Sequence, residues 1–260
     1  ISIDEYQTTL NLMSNNTSLQ VIHPDVAKIG RLLTIIAFRC GLRRQEALKL
    51  RLIDFQGEVA PEILIRRHSD RRLKSKNSIR RIRLMAWLTK TELEELKDWV
   101  AKRRKQEEQD PYSQYIFSIP EKRFSIIPEE LIFPIIHKSL REATNDSSVS
   151  FHSLRHSCAS WNTLRLLVAD IGVPERFFEG MPETLAYLQT SKHLKKSCYS
   201  HDEPTRKHLY VISALLGHSS PAVTLEHYIH WCDLLLNKAL EAVNNKIPKQ
   251  ALLIASGLRK

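Results

Sequence analysis

At 260 residues the chain is long enough to bury a full core, and 42% hydrophobic with 26% charged residues is the make-up of an ordinary globular domain. A formal charge of +10 points to a polyanionic partner, and to nucleic acid before membrane, because the basic residues are scattered and not gathered on one amphipathic helix. No stretch reaches the roughly 18 apolar residues of a membrane span, and the N-terminus lacks the pattern of a signal peptide.

Glycine is scarce, with seven residues, and apolar positions recur mostly at helical spacing, so the chain reads as mainly α with a small antiparallel β-sheet, an α+β fold. Ile29, Leu32, Leu33, Ile36 and Ala37 make Asp25 to Phe38 a buried helix. Gly41 stops it, and a short helix follows from about Arg43 to Leu50. Glu62 to Ile65 and Ser78 to Leu84 alternate as two strands, joined through the basic segment His68 to Lys76. Thr89 with Glu92 forms a capping box that opens a helix to about Glu108. Another helix spans Glu129 to Ala143, kinked or delayed by Pro134, and the next runs from about His152 to Val168. Residues 169–207, interrupted by prolines and glycines, look inserted. Leu209 to Leu216 ends at Gly217, Pro221 to His227 is a short helix, and Trp231 to Val243 is an amphipathic one before an apolar tail. The four cysteines form no CxxC pair and read as free thiols. Cys198 and His201 invite a zinc reading, but no second paired ligand set follows, so neither metal nor cofactor is expected.

Three polar clusters carry the chemistry. In Gly41-Leu42-Arg43-Arg44-Gln45-Glu46, Arg43 stands at the mouth of a helix and Glu46, one turn on, shares its face and can orient it. In His152-Ser153-Leu154-Arg155-His156, His152 and Arg155 project from one face at a helix start, where the helix field favours an anion. Gly217-His218 places an imidazole at a turn, ten residues before Tyr228. Alone, the arginines read as surface ion pairs and Tyr228 as a packed core residue. Together they are what covalent attack on a phosphodiester needs. Guanidinium forks hold the charged non-bridging oxygens, and clustered cations help a phenol of pKa near 10 to act as nucleophile.

In this order the motifs GLRxxE at Gly41 to Glu46, HxLRH at His152 to His156, and LLGHSSPxxT with HYxH at Leu215 to His230 resemble the tyrosine recombinase (phage integrase) family. The resemblance covers nearly the whole chain as the family's C-terminal catalytic domain. It implies that Arg43, His152, Arg155 and His218 bind and neutralise the scissile phosphate, with Glu46 in support. Tyr228 would attack to leave a 3′-phosphotyrosyl link and a free 5′-hydroxyl. Leu73-Lys74-Ser75-Lys76-Asn77-Ser78, followed by Arg80 and Arg81, looks like the family's KTKxSxR hairpin, with Lys74 as general acid and Lys76 as the alternate. Arg66, Arg67, Arg71, Arg72, Lys76, Arg80 and Arg81 form the candidate surface that tracks DNA phosphates.

The chain departs from the family where Arg83 replaces a usual proline, and in the long gap between Arg155 and His218. The resemblance implies double-stranded DNA as substrate, a tetramer on DNA, and a place in the cytoplasm at the nucleoid, for integration or excision of a mobile element. The sequence opens at Ile1 with about twenty residues ahead of the core, so the family's N-terminal DNA-clamping domain is expected to lie outside it. The helix from Trp231 and the apolar tail resemble a segment that docks on a neighbouring subunit, with a tail folding back on its own domain as the equal alternative. Two rivals stand beside this reading. One is a type IB topoisomerase-like or telomere-resolving nicking-closing enzyme, and the other a noncatalytic DNA-binding module on the same fold.

Overall fold

The structure is a computed structural model. It describes residues 1–15, 23–108, 114–122, 124–173, 175–201, 203, 205 and 207–228, without the side chains at 122, 176, 177, 227 and 228. The expected helix from Trp231, the apolar tail and Cys232 lie outside the described residues. Cys40, Cys158 and Cys198 are free thiols, and no described helix is long and apolar enough to cross a membrane.

Two long helices form the centre. Helix α2 (Pro24–Cys40) begins at His23, whose imidazole accepts from the Asp25 N–H, and ends at Gly41 with φ 65°, a left-handed cap that favours glycine. A Cβ at Gly41 would also lie 2.4 Å from Leu216 Cδ2, so two helix ends meet there. Helix α7 (Phe151–Ile171) starts at Ser150 and packs against α2. Most of its residues are buried, including polar Arg155, Asn162 and Arg165, as in a helix surrounded by neighbours. Around this pair lie α3 (Arg44–Leu48), α4 (Leu84–Trp87), α5 (Lys90–Glu107) and α6 (Glu129–Thr144). The capping box of α5 is as expected: Thr89 Oγ1 accepts from the Glu92 N–H at 3.2 Å, and Glu92 accepts from the Thr89 N–H at 2.9 Å. Helix α6 continues through Pro134.

The sheet has three antiparallel strands where two were expected: β1 (Phe55–Gln56), β2 (Glu62–Ile65) and β3 (Arg80–Arg83), in that order. At two residues, β1 is too short to show an alternating pattern. Ile63 pairs with Ile82, and both turn into the core while Arg81 and Arg83 face water.

Helix α1 (Ile3–Asn15), not anticipated from the sequence, packs on α2 and α6. Its Tyr6 ring stacks on Phe38 at 3.9 Å and donates its hydroxyl to Glu92 Oε1 at 2.7 Å. The inserted stretch overlaps the end of α7. It then forms α8 (Pro182–Gln189) and α9 (Ser191–Tyr199), which pack against α1, α4 and α7, so this segment is built into the body of the fold. Lys195 Nζ meets Asp170 Oδ1 at 2.5 Å, and His208 Nε2 contacts Asp170 Oδ2 at 2.8 Å. That ties the insertion to the start of α10 (His208–Leu216), which precedes α11 (Pro221–Tyr228).

Arg39 and Glu92 form a buried pair, with Arg39 Nε 3.0 Å from both carboxylate oxygens. Removing one charge strands the other away from water. Glu92→Gln is therefore expected to cost about 3 kcal/mol and to lower Tm by roughly 10 °C in a calorimetric scan. A change of less than about 2 °C would mean the pair adds little.

Candidate active site at the junction of two helix ends

Helices α2 and α10 both stop at left-handed glycines, Gly41 and Gly217. Their last carbonyls therefore have no partner within the helix and carry the negative end of its dipole. The Arg155 guanidinium fills the gap between them. With 0% exposure, it donates through Nη1 to Gly41 O and through Nη2 to Leu216 O at 2.7 Å, and Nη2 also lies 2.9 Å from His218 Nε2. One side chain thus joins the first, second and third sequence clusters.

Arg43 is the N-cap residue of α3. Its N–H donates to Glu46 Oε2 at 2.9 Å and its Nη1 to Glu46 Oε1 at 2.8 Å, as the spacing implied. Its side chain keeps 24% exposure, while that of Glu46 keeps 4%. Glu46 also takes the fork of Arg80, at 2.9 Å to Oε2 and 3.2 Å to Oε1. Burial alone would raise the Glu46 carboxyl, but Arg80 and then Arg43 outweigh it and hold it at about 2.

Two residues assigned to the phosphate-tracking surface have other partners. Arg80, with a side chain 6% exposed, also donates to Leu215 O at 2.6 Å and to Ser78 O at 2.9 Å. It ties the hairpin to Glu46 and to the end of α10. Arg71 is fully buried on Asp54 at 3.1 Å, with the carbonyls of Glu46, Lys49 and Arg66 around it. A guanidinium satisfied in this way is structural. The sequence showed only a run of basic residues, and the alternation of β3 turns Arg80 inward beside Ile82. Arg66, Arg67, Arg72, Lys74, Lys76 and Arg81 are exposed. Of these, Arg66 bonds Asp54 at 2.7 Å and Arg81 lies 3.2 Å from Glu62.

The hairpin reaches the same junction. Ser78, buried at the end of the short 3-10 turn Lys76–Ser78, has its hydroxyl 3.4 Å from Arg43 Nη1. A Cβ on Gly217 would sit 3.0 Å from Ser78 Cα and 3.1 Å from Asn77 O, so this glycine serves both its φ of 69° and the approach of the hairpin backbone. The turn after Lys74 is thereby held against the His218 loop.

His152 stands on the first turn of α7, its ring edge-on to His156 at 4.8 Å. Partial burial, then the charges of Arg155 and Arg43, lower its pKa. For His218, burial first and then Arg155, Arg43 and Arg80 push the imidazole down to about 3, so it is neutral at pH 7. Both imidazoles feel Arg155 and Arg43, His218 also feels Arg80 and the Glu46 carboxylate, and such a place attracts an anion. The backbone of Tyr228 ends α11 on the same loop-helix unit as His218; its side chain is outside the described atoms. Among the described residues no cluster of His, Cys, Asp and Glu is arranged to hold a metal. Sequence reasoning missed Thr224, whose hydroxyl lies 2.8 Å from His218 Nδ1; its place in the LLGHSSPxxT motif was the available signal.

Because the folded Glu46 pKa lies below its ordinary 4.5, the carboxylate adds stability that is complete above that value and is lost as pH falls from there toward 2. The gap corresponds to about 3 kcal/mol. Glu46→Gln should flatten that part of the acid limb in urea unfolding between pH 5 and 2. An unchanged limb would show that Glu46 does not set it.

Residues 10–163 match the model of the phage integrase family, a span that holds the first two clusters and the hairpin and stops short of His218 and Tyr228. No curated protein matches the chain. Among solved structures, it is similar to XerH site-specific recombinase bound to difH substrate in a pre-cleavage complex. That likeness has 20% identity and a TM-score of 0.52, covering 90% of this chain and 51% of that one. XerH bound to palindromic difH substrate in a post-cleavage complex is similar at 20% identity with a TM-score of 0.54, covering 90% and 50%. The chain spans about half the length of these recombinases, and the likeness shows a shared fold. With the matched span taking in more than half of its residues, the chain belongs to the phage integrase family.

Proposed function

We propose that the chain is the catalytic domain of a site-specific DNA strand transferase working through a 3′-phosphotyrosyl intermediate. The observation that carries this reading is the convergence of Arg43, Arg155, His218 and the lysine-bearing hairpin on one junction, from positions as far apart in the chain as Arg43 and His218. The Tyr228 phenolic oxygen bonds to phosphorus, its proton leaving to solvent, and the P–O5′ bond breaks. The departing O5′ takes a proton from Lys74, whose exposed position next to the turn lets it reach the DNA. Arg43 and His152 face the phosphate oxygens, and Arg155 holds the floor of the site, meeting the phosphate where His218 now covers it. Each step is a transfer of phosphorus between oxygens, so the energy of the bond is kept for rejoining.

The substrate in this reading is double-stranded DNA, tracked through exposed Arg66, Arg67, Arg72, Lys76 and Arg81, and the active assembly is a tetramer on two duplexes at the nucleoid. The XerH complexes, solved with difH substrate, support DNA as the substrate. Exchange of a mobile element is the biological task we favour, and the helices of 169–207 brace α10 within one catalytic domain.

A suicide DNA substrate that loses its 5′ fragment after cleavage is expected to trap a covalent adduct, visible on a denaturing gel. Tyr228→Phe should abolish it, and Arg43→Ala should slow it by about 10² to 10³. No adduct with the intact chain on its own flanking DNA sites would favour the noncatalytic module. Supercoil relaxation without exchanged products would favour the topoisomerase-like reading.

Lys74→Ala should cleave slowly at a normal phosphate but recover on DNA carrying sulfur at the scissile 5′ position. A thiolate leaves without a proton because its pKa lies several units below that of an alcohol. Equal slowing on both substrates would remove Lys74 from the acid role and turn attention to Lys76.

A further inference from the structure

The hydrogen bonds around His218 form a chain whose two ends fix its direction. At one end Arg155 Nη2 lies 2.9 Å from His218 Nε2. A guanidinium has only donors, so Nε2 is the acceptor and carries no proton. At the other end the Ser213 hydroxyl lies 2.6 Å from Leu209 O, which can only accept. Ser213 has one proton and gives it there, so it accepts from Thr224 Oγ1, 2.7 Å away. Thr224 has then used its own proton, and its oxygen accepts from His218 Nδ1 at 2.8 Å. Both ends require the same arrangement: a proton on Nδ1 and a lone pair on Nε2.

We infer that Thr224 is a positioning residue which, through Ser213, holds His218 in the Nδ1–H tautomer and so keeps Nε2 as the acceptor that orients Arg155. Thr224 is fully buried and Ser213 is 4% exposed, so the hydroxyl end of the chain is shielded from water. The His218 N–H also donates to Ser213 O at 2.9 Å, fixing the ring's backbone to the same residue. Thr224 lies in α11 four residues before Tyr228. The one hydroxyl therefore registers the tyrosine's helix against α10 while it sets the state of His218. In the absence of DNA, His218 enters the site as an acceptor for Arg155. Without the Thr224 oxygen the Nδ1–H tautomer loses one of its two supports, Arg155 remaining as the other, so the energy gap to the Nε2–H form narrows.

The test is nitrogen-15 NMR of the imidazoles in the full 260-residue chain at pH 7, with the His218 signals assigned by their loss in His218→Gln. Wild type and Thr224→Ser should show a protonated Nδ1 and a bare Nε2; Thr224→Val should shift population to the Nε2–H form. In the suicide-substrate assay Thr224→Val should slow adduct formation by about tenfold or more, with DNA affinity unchanged, and Thr224→Ser should restore the rate. A wild-type ring protonated at Nε2 overturns the inference even if Thr224→Val fails to fold. So does a Thr224→Val tautomer like that of wild type, or a changed tautomer at unaltered cleavage rate. The kinetic arm rests on the proposed strand transfer and the tautomer arm does not, so the two readings fail separately.

Discussion

A single guanidinium shared by two helix ends is the constraint on which the site depends. Arg155 has no exposure, and Gly41 O and Leu216 O receive its guanidinium. A buried cation is costly unless strongly hydrogen-bonded, and helix C-termini offer what it needs, unsatisfied carbonyls with a favourable dipole. In return the guanidinium holds together the ends of α2 and α10, which lie far apart in sequence. Gly41 and Gly217 turn the chain sharply enough for both ends to reach it.

Glu46 does the complementary task on the other side of the junction. One buried carboxylate takes Arg43 from its own helix and Arg80 from β3, and Arg80 continues to Leu215 O. The two hubs share α10: Arg80 holds Leu215 and Arg155 holds Leu216. A movement of the hairpin would therefore be felt at His218. The Asp170 cluster fastens the opposite end of α10 to α7 and to α9, so the helix that precedes His218 is held at both ends.

Much of the fold was legible because its signals are local. The stop at Gly41, the Thr89–Glu92 box, β2 and the burial of α2 each follow from short-range spacing and appear with nearly the expected bounds. What stayed hidden was short, broken or passed over. Helix α1 carries Ile3, Tyr6, Leu10 and Met13 at helical spacing, a local signal the sequence reading did not use, and is held by Tyr6 on Phe38 and Arg39. β1 is two residues long. The segment 169–207 is broken by prolines and glycines, yet folds two helices against α1, α4 and α7.

The sequence by itself supplied the candidates, Arg43, Lys74, His152, Arg155, His218 and Tyr228 in order, on helical and hairpin segments whose periodicity sets their form. Residue types carry that information because guanidinium, imidazole, amine and phenol each do distinct chemistry on a phosphodiester. Only the tertiary structure decided which cations are exposed and which are engaged inside the fold. Lys74 and Arg80 are six residues apart in one basic run, but one is exposed and the other is bound to a carboxylate and two carbonyls. Burial and hydrogen-bond direction are relations between distant segments. The same is true of Thr224, whose part is defined by what lies at the far ends of its hydrogen-bond chain.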